Sequence, residues 1–277
     1  MVFISLNLFT QNYSFKKIHS IDGFQDATAL AIDQLNNIFV ADAGSNRVYK
    51  YSSDYKLLSS FGGFGWNEYS LDSPIDISVS YDLVVYVCDY NNNRVQILDR
   101  NLNYVHSISG DNEKELFGYP KSIALSNEGE LFIIDSDNNR IVQLDNFRNL
   151  IRIFGSLNSV NKFKYPTKIR VHNDRLFIID NHDVVMYDLF GNYIDVYKND
   201  SVVMGISFYN DDIVFLEKEK IKFINLHNKK EFAILIENNN EFSDMYELGN
   251  NFNDIIINKN FCYLLDKNKI LVFEIKN

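Results

Sequence analysis

A short apolar run closing on an acid recurs along the chain. It is Ile38-Phe39-Val40-Ala41-Asp42, then Val85-Tyr86-Val87-Cys88-Asp89, Leu131-Phe132-Ile133-Ile134-Asp135 and Leu176-Phe177-Ile178-Ile179-Asp180. Weaker copies follow at Ile213–Glu217 and Cys262–Asp266. The closing acids lie 47, 46, 45, 37 and 49 residues apart, so six copies fill the 277 residues. A period of about 46 residues is that of one sheet-sized unit per repeat. The run is apolar at nearly every position, which marks a strand covered on both faces.

The flanks repeat with it. After the acid comes a polar turn, a basic residue and another strand: Asp42…Asn46-Arg47 into Val48–Tyr51, Asp89…Asn93-Arg94 into Val95–Leu98, Asp135…Asn139-Arg140 into Ile141–Leu144. In the last two copies the turn is two residues shorter, with Lys220 and Lys269 as the bases, and the fourth copy carries Asp183 at the basic position. The three prolines, Pro74, Pro120 and Pro166, stand 15, 15 and 14 residues before their acids. Each opens a strand, where a missing N–H costs the ladder little. Fourth strands are expected at Leu57–Phe61, Tyr104–Ile108, Leu150–Phe154, Tyr193–Tyr197 and Phe232–Ile236, joined by Asn/Asp/Gly turns that suit left-handed backbone. Each repeat is thus a four-stranded antiparallel meander. It cannot bury both faces alone, so six must stack in a ring, an all-β six-bladed β-propeller.

The last repeat ends after its third strand, and Phe15–Ile21 has no repeat of its own. This N-terminal strand is expected to complete blade six and close the ring, removing exposed edges. The propeller then occupies residues 13–277 and residues 1–12 stand outside it. Met1–Phe9 is mostly apolar but lacks a basic start and a small-residue cleavage site. It reads equally as a truncated signal, which would place the chain in the periplasm or outside the cell, or as an ordinary terminus of a cytoplasmic protein.

Phe61-Gly62-Gly63…Pro74…Val87-Cys88-Asp89…Asn93-Arg94-Val95, echoed at Phe117-Gly118-Tyr119-Pro120…Ile134-Asp135…Asn139-Arg140-Ile141, resembles the NHL-repeat proteins, six-bladed β-propellers. Copies one to three match well, copy four in part, copies five and six by register alone. The resemblance implies the fold and says little of function, since one fold hosts many activities. Some relatives of this architecture are lyases or hydrolases with a metal in the channel, and some bind RNA on a basic face.

The chain offers little for either chemistry. His19, His106, His172, His182 and His227 fall at unrelated positions of the repeat, so no histidine metal site is expected and no cofactor is implied. Carboxylate sites for calcium or another divalent cation are left open at Asp211-Asp212 and Asp135…Asp137, without the EF-hand spacing. No phosphate loop, nucleophile elbow or cysteine pair appears, and no catalytic residue is assigned. Cys88 and Cys262 sit in apolar runs as small hydrophobes. A net charge of −10 disfavours nucleic acid, although Arg47, Arg94 and Arg140 stand at equivalent positions and could ring a ligand entrance. Their repetition fits an alternative role, pairing with the repeat acids. No apolar stretch is long enough to span a membrane.

Partner binding is the favoured function: a non-enzymatic, monomeric scaffold that recognises a protein, peptide or glycan, the alternative being an extracytoplasmic lyase or hydrolase with a divalent cation in the channel. The link Phe61–Leu71 between blades one and two holds the single Trp, and aromatic residues on a scaffolded loop are typical interface anchors. Phe64, Trp66 and Tyr69 are the candidates, with Trp66 equally able to pack over its own blade. The link 237–252, with Phe242, Met245 and Tyr246, is a second candidate.

Overall fold

The computed structural model describes residues 13–109, 116–156, 161–235 and 252–276. Among them β1 (Ser14–Asp22) is followed by β2 (Ala27–Ile32), β3 (Ile38–Asp42), β4 (Arg47–Tyr51) and β5 (Leu57–Gly62) of blade one. Blade two is β6 (Pro74–Val79), β7 (Val85–Asp89), β8 (Arg94–Leu98) and β9 (Tyr104–Ser109). Blade three is β10 (Pro120–Leu125), β11 (Leu131–Asp135), β12 (Arg140–Leu144) and β13 (Leu150–Phe154). Blade four is β14 (Pro166–His172), β15 (Arg175–Asp180), β16 (Asp183–Asp188) and β17 (Tyr193–Tyr197). Blade five is β18 (Val203–Tyr209), β19 (Asp212–Glu217), β20 (Lys220–Asn225) and β21 (Glu231–Leu235). Blade six is β22 (Phe252–Asn258), β23 (Phe261–Asp266) and β24 (Lys269–Lys276), with β1 as its outer strand.

Six four-stranded antiparallel sheets result, and the N-terminal strand closes the ring from Ser14 opposite Lys276 to Asp22 opposite Lys269. The first strands of the blades contact one another in a closed circuit, β2 to β6 to β10 to β14 to β18 to β22 and back to β2. They therefore line the axis.

The second strands β3, β7 and β11 are buried at every residue, because each blade face packs on a neighbour. The core is accordingly divided into six inter-blade clusters. Between blades one and two it holds Phe39, Phe61, Leu71, Ile77 and Val87; between five and six it holds Phe15, Phe223, Phe252 and Phe273. Truncating any one of these phenylalanines to Ala would cost about 3–5 kcal/mol in transfer and cavity terms.

The repeat motif acts where blades join. The first residue of each inner strand (Ala27, Pro74, Pro120, Pro166, Val203, Phe252) pairs with that blade's closing acid, and a bulge follows in all six. The bulge explains the prolines, since the ladder is broken there regardless of the missing N–H. Asn46, Asn93 and Asn139, just before the arginines, adopt left-handed φ of 55°, 51° and 47°, which Asn tolerates.

Candidate functional site

The acid of each early repeat holds the incoming link. Asp42 accepts hydrogen bonds from the N–H groups of Gln25 (3.1 Å) and Asp26 (2.7 Å), Asp89 from Asp72 (2.7 Å), Asp135 from Gly118 (3.0 Å), and Asp180 from Lys164 (2.9 Å) and Tyr165 (2.6 Å). The Asn side chains reach forward to the next link: Asn46 Oδ1 accepts from Ser73 N (2.7 Å) and Asn93 Oδ1 from Tyr119 N (2.8 Å). Arg94 Nε and Arg140 Nε pair with Asp89 (2.7 Å) and Asp135 (2.6 Å), whose carboxylates are fully buried. Burial pushes the Asp89 carboxyl up despite the N–H of Asp72, Asn92 and Arg94 bonding to it. Arg47 differs. It stands opposite Asp42, which is taken up by backbone amides and Ser45, and Arg47 has no ion pair among the described residues.

The link after blade one leaves β5 at Gly62, opposite Arg47. Gly62 (φ 99°) lies so close to Asn46 O that a Cβ would sit 2.7 Å from it, so the turn requires glycine. The loop then doubles back: Leu71 N donates to Gly63 O (2.9 Å), Gly65 N donates to Leu71 O (3.1 Å), and Phe64 bridges Leu71. Arg94 fixes it further, donating to the carbonyls of Trp66 (3.1 Å), Asn67 (2.7 Å) and Ser70 (2.9 Å), while Asn92 Nδ2 donates to Gly65 O (2.8 Å). The backbone is thus held from blade two while its aromatic side chains stand out. Phe64, Trp66 and Tyr69 are 71%, 79% and 64% exposed, so Trp66 does not pack over its blade. Tyr69 keeps an edge-on contact with Tyr104 at 5.8 Å. Of the six sequence candidates, Arg47 and the three aromatics share this loop and its base. Arg94 is the loop's internal anchor, and Arg140 belongs to the next blade. The second candidate link, 237–252, lies outside the described residues except for Phe252, which is buried in the core.

The axis holds a charged cluster that the repeat comparison missed. Two residues into the inner strands stand Ala29, Asp76, Ser122, Lys168, Gly205 and Asp254. Asp76 accepts from Ser122 Oγ and Ile123 N (3.0 Å), Ser122 Oγ accepts from Ile169 N (3.1 Å), and Asp254 accepts from Leu30 N (3.4 Å), so each side chain stitches the next blade's free strand edge. Across the ring Asp254 Oδ2 takes Lys168 Nζ at 2.7 Å and Arg170 Nη2 at 2.9 Å, and Arg170 Nη1 lies 3.4 Å from Asp76 Oδ2. Burial lowers the Lys168 pKa although Asp254 opposes it; burial also works against the Arg170 charge, but Asp76 and Asp254 outweigh it and raise that pKa. A charged residue at the third position of the first strand, where other blades carry Ala29, Ser122 or Gly205, was the available signal.

The metal candidates are dispersed. His19 stacks on Tyr55, His172 on Phe208, and His227 lies 3.7 Å from Asp211. Asp212 accepts from Asn225, and Asp135 is occupied by Arg140 and Asn138. Among the described residues no three His, Cys, Asp or Glu side chains converge as a metal site. The channel carboxylates do not fit a cation, since Lys168, Arg170 and Ser122 already hold them.

The fold and motif define the class: a six-bladed β-propeller. Within it the NHL repeat model matches residues 71–98, the end of the aromatic link and the inner three strands of blade two up to Leu98. No curated protein matches the chain significantly. Among solved structures, virginiamycin B lyase from Staphylococcus aureus is similar at 12% identity and a TM-score of 0.64, covering 95% of this chain and 99% of that one. A streptogramin B lyase is similar at 12% identity and 0.66, covering 96% and 98%. So is a catalytically inactive variant of the S. aureus enzyme with quinupristin, at 12% and 0.66, covering 95% and 99%. Identity this low establishes the shared fold.

Proposed function

We propose that this propeller is a recognition module whose ligand, a protein or peptide segment, docks on the 62–73 loop, with Phe64, Trp66 and Tyr69 as anchors. The observation that carries the reading is a fixed backbone presenting three solvent-exposed aromatic side chains. Exposed apolar surface on a rigid loop costs little ordering entropy on binding, which is what an anchor needs. Arg47 at the loop's base supplies a cation with no ion pair among the described residues, so an acidic group beside an apolar residue is the preferred feature of the ligand. Arg94 acts as a positioning residue. A displayed-peptide selection and a glycan array, each read with wild type and with Trp66→Ala/Tyr69→Ala, test the reading. Binders lost in the variant at unchanged melting temperature support it; binders retained remove the loop from the account.

The likeness to streptogramin B lyases supports a second reading, an enzyme working in the channel. Against a metal-dependent version stands the donor set, in which protein cations already occupy both acids. Against nucleic acid stand the ion pairs of Arg94 and Arg140.

A further inference from the structure

We propose that the axial cavity is a second binding site, for a small carboxylate carrying an apolar tail, with Arg170 as its head-group partner. The cavity measures about 230 Å³ and is walled by Ile32, Val79, Leu125, Val171 and Ile256 from five blades, with Arg170 also in its lining. It adjoins a mouth of about 210 Å³ at the turns between first and second strands, lined by Asp33, Gln34, Tyr81 and Asn127. The cavity wall is mixed, with polar groups exposed about as much as these five apolar side chains, which are the surface a hydrocarbon tail would touch.

The head-group argument rests on Arg170. Its side chain keeps 16% exposure although it lies inside the ring. A guanidinium has five N–H donors. Nη1 donates to Asp76 Oδ2 and Ile169 O, and Nη2 donates once, to Asp254 Oδ2. Nε–H and one Nη2 hydrogen are left without a protein acceptor among the described residues, two donors that a carboxylate's oxygens can take. Asp76 is also served by Ser122 Oγ and Ile123 N, so its 3.4 Å contact is the longest of the three axial ion pairs and leaves Arg170 able to take another acid.

The probe is octanoate, titrated calorimetrically into the full chain, with octanol as the control of equal tail. One octanoate per chain is expected, with octanol at least about tenfold weaker, the worth of a charge-assisted head contact. Ser78→Phe, at a half-buried lining position, should abolish both. Arg170→Lys should weaken octanoate by about tenfold and leave octanol unchanged. If Arg170→Lys does not fold, the octanol comparison and Ser78→Phe decide. Equal affinity for octanoate and octanol, octanoate binding that survives Ser78→Phe, or no binding at millimolar octanoate would each overturn the proposal. None of these results depends on the aromatic loop.

Discussion

Arg170 of blade four meets Asp254 of blade six at 2.9 Å across the axis of the ring, and the same carboxylate oxygen holds Lys168 at 2.7 Å. One acid therefore pairs with two buried bases from a blade that is not its neighbour, and Asp76, 3.4 Å from Arg170, supplies the second negative charge. Asp254→Ala would leave Lys168 without an acid and Arg170 with Asp76 alone, one buried positive charge in excess, and should cost about 3–5 kcal/mol. Lys168→Met should be close to neutral, within about 1 kcal/mol, because Asp254 keeps Arg170 and Leu30 N. Urea unfolding of the two variants checks the contrast; equal losses would mean that the cluster is not organised around Asp254.

The forward stitch of Asn46 makes a separate prediction. Its left-handed φ of 55° and its bond to Ser73 N are both lost to strain or truncation in Asn46→Ala, which should cost about 2–3 kcal/mol. Asn46→Gly relieves the backbone and loses only the bond, so about 1 kcal/mol is expected. Thermal or chemical denaturation that ranks glycine at or below alanine would contradict the geometry.

Acid should act on the outer turns. The side-chain amide and N–H of Asn149 hold the Asp145 carboxyl below its ordinary range, and the Lys229 ammonium does the same for Asp195. Groups with depressed folded values contribute stability that is whole above about pH 4 and fades as pH falls through those values. The melting temperature should therefore drop less steeply below about pH 4 in Asp145→Asn/Asp195→Asn than in wild type. Asp89, Asp212 and Asp266, raised by burial, act with the opposite sign in both proteins and cancel in the comparison.

Thiol chemistry offers a test of packing. Burial pushes both Cys88 and Cys262 well up from the ordinary thiol value, with the Asp76 charge adding at Cys88. Neither should react with a thiol reagent at neutral pH in the folded protein, and both should react in urea. Rapid native labelling at Cys88 would mean that blades two and three separate in solution.

The ring was legible because its signals repeat. Acid-ended runs, Asn-Arg turns and prolines all mark junctions that every blade must build, and the orphan strand at Phe15 found its partner at Ile275 as the count required. The channel cluster was hidden for the converse reason. Asp76, Lys168 and Asp254 occupy one repeat position that is Ala29, Ser122 or Gly205 elsewhere, so the averaging that exposes a repeat erases them. The double duty of Arg94, pairing Asp89 and clamping Trp66 O and Asn67 O, was half visible: the spacing to its acid is local, while the loop carbonyls lie 27 and 28 residues away. Exposure of Trp66 depended on the backbone turn around Gly63 and Gly65, which composition does not encode.

The central claim concerns that loop. The most direct test measures the dissociation constant of a selected peptide for wild type, Trp66→Ala/Tyr69→Ala and Arg94→Ala, beside amide hydrogen exchange of residues 63–71. The account predicts at least about tenfold weaker binding for the aromatic pair with exchange unchanged, and weaker binding with faster exchange for Arg94→Ala. Affinity unchanged by loss of both aromatics would contradict it.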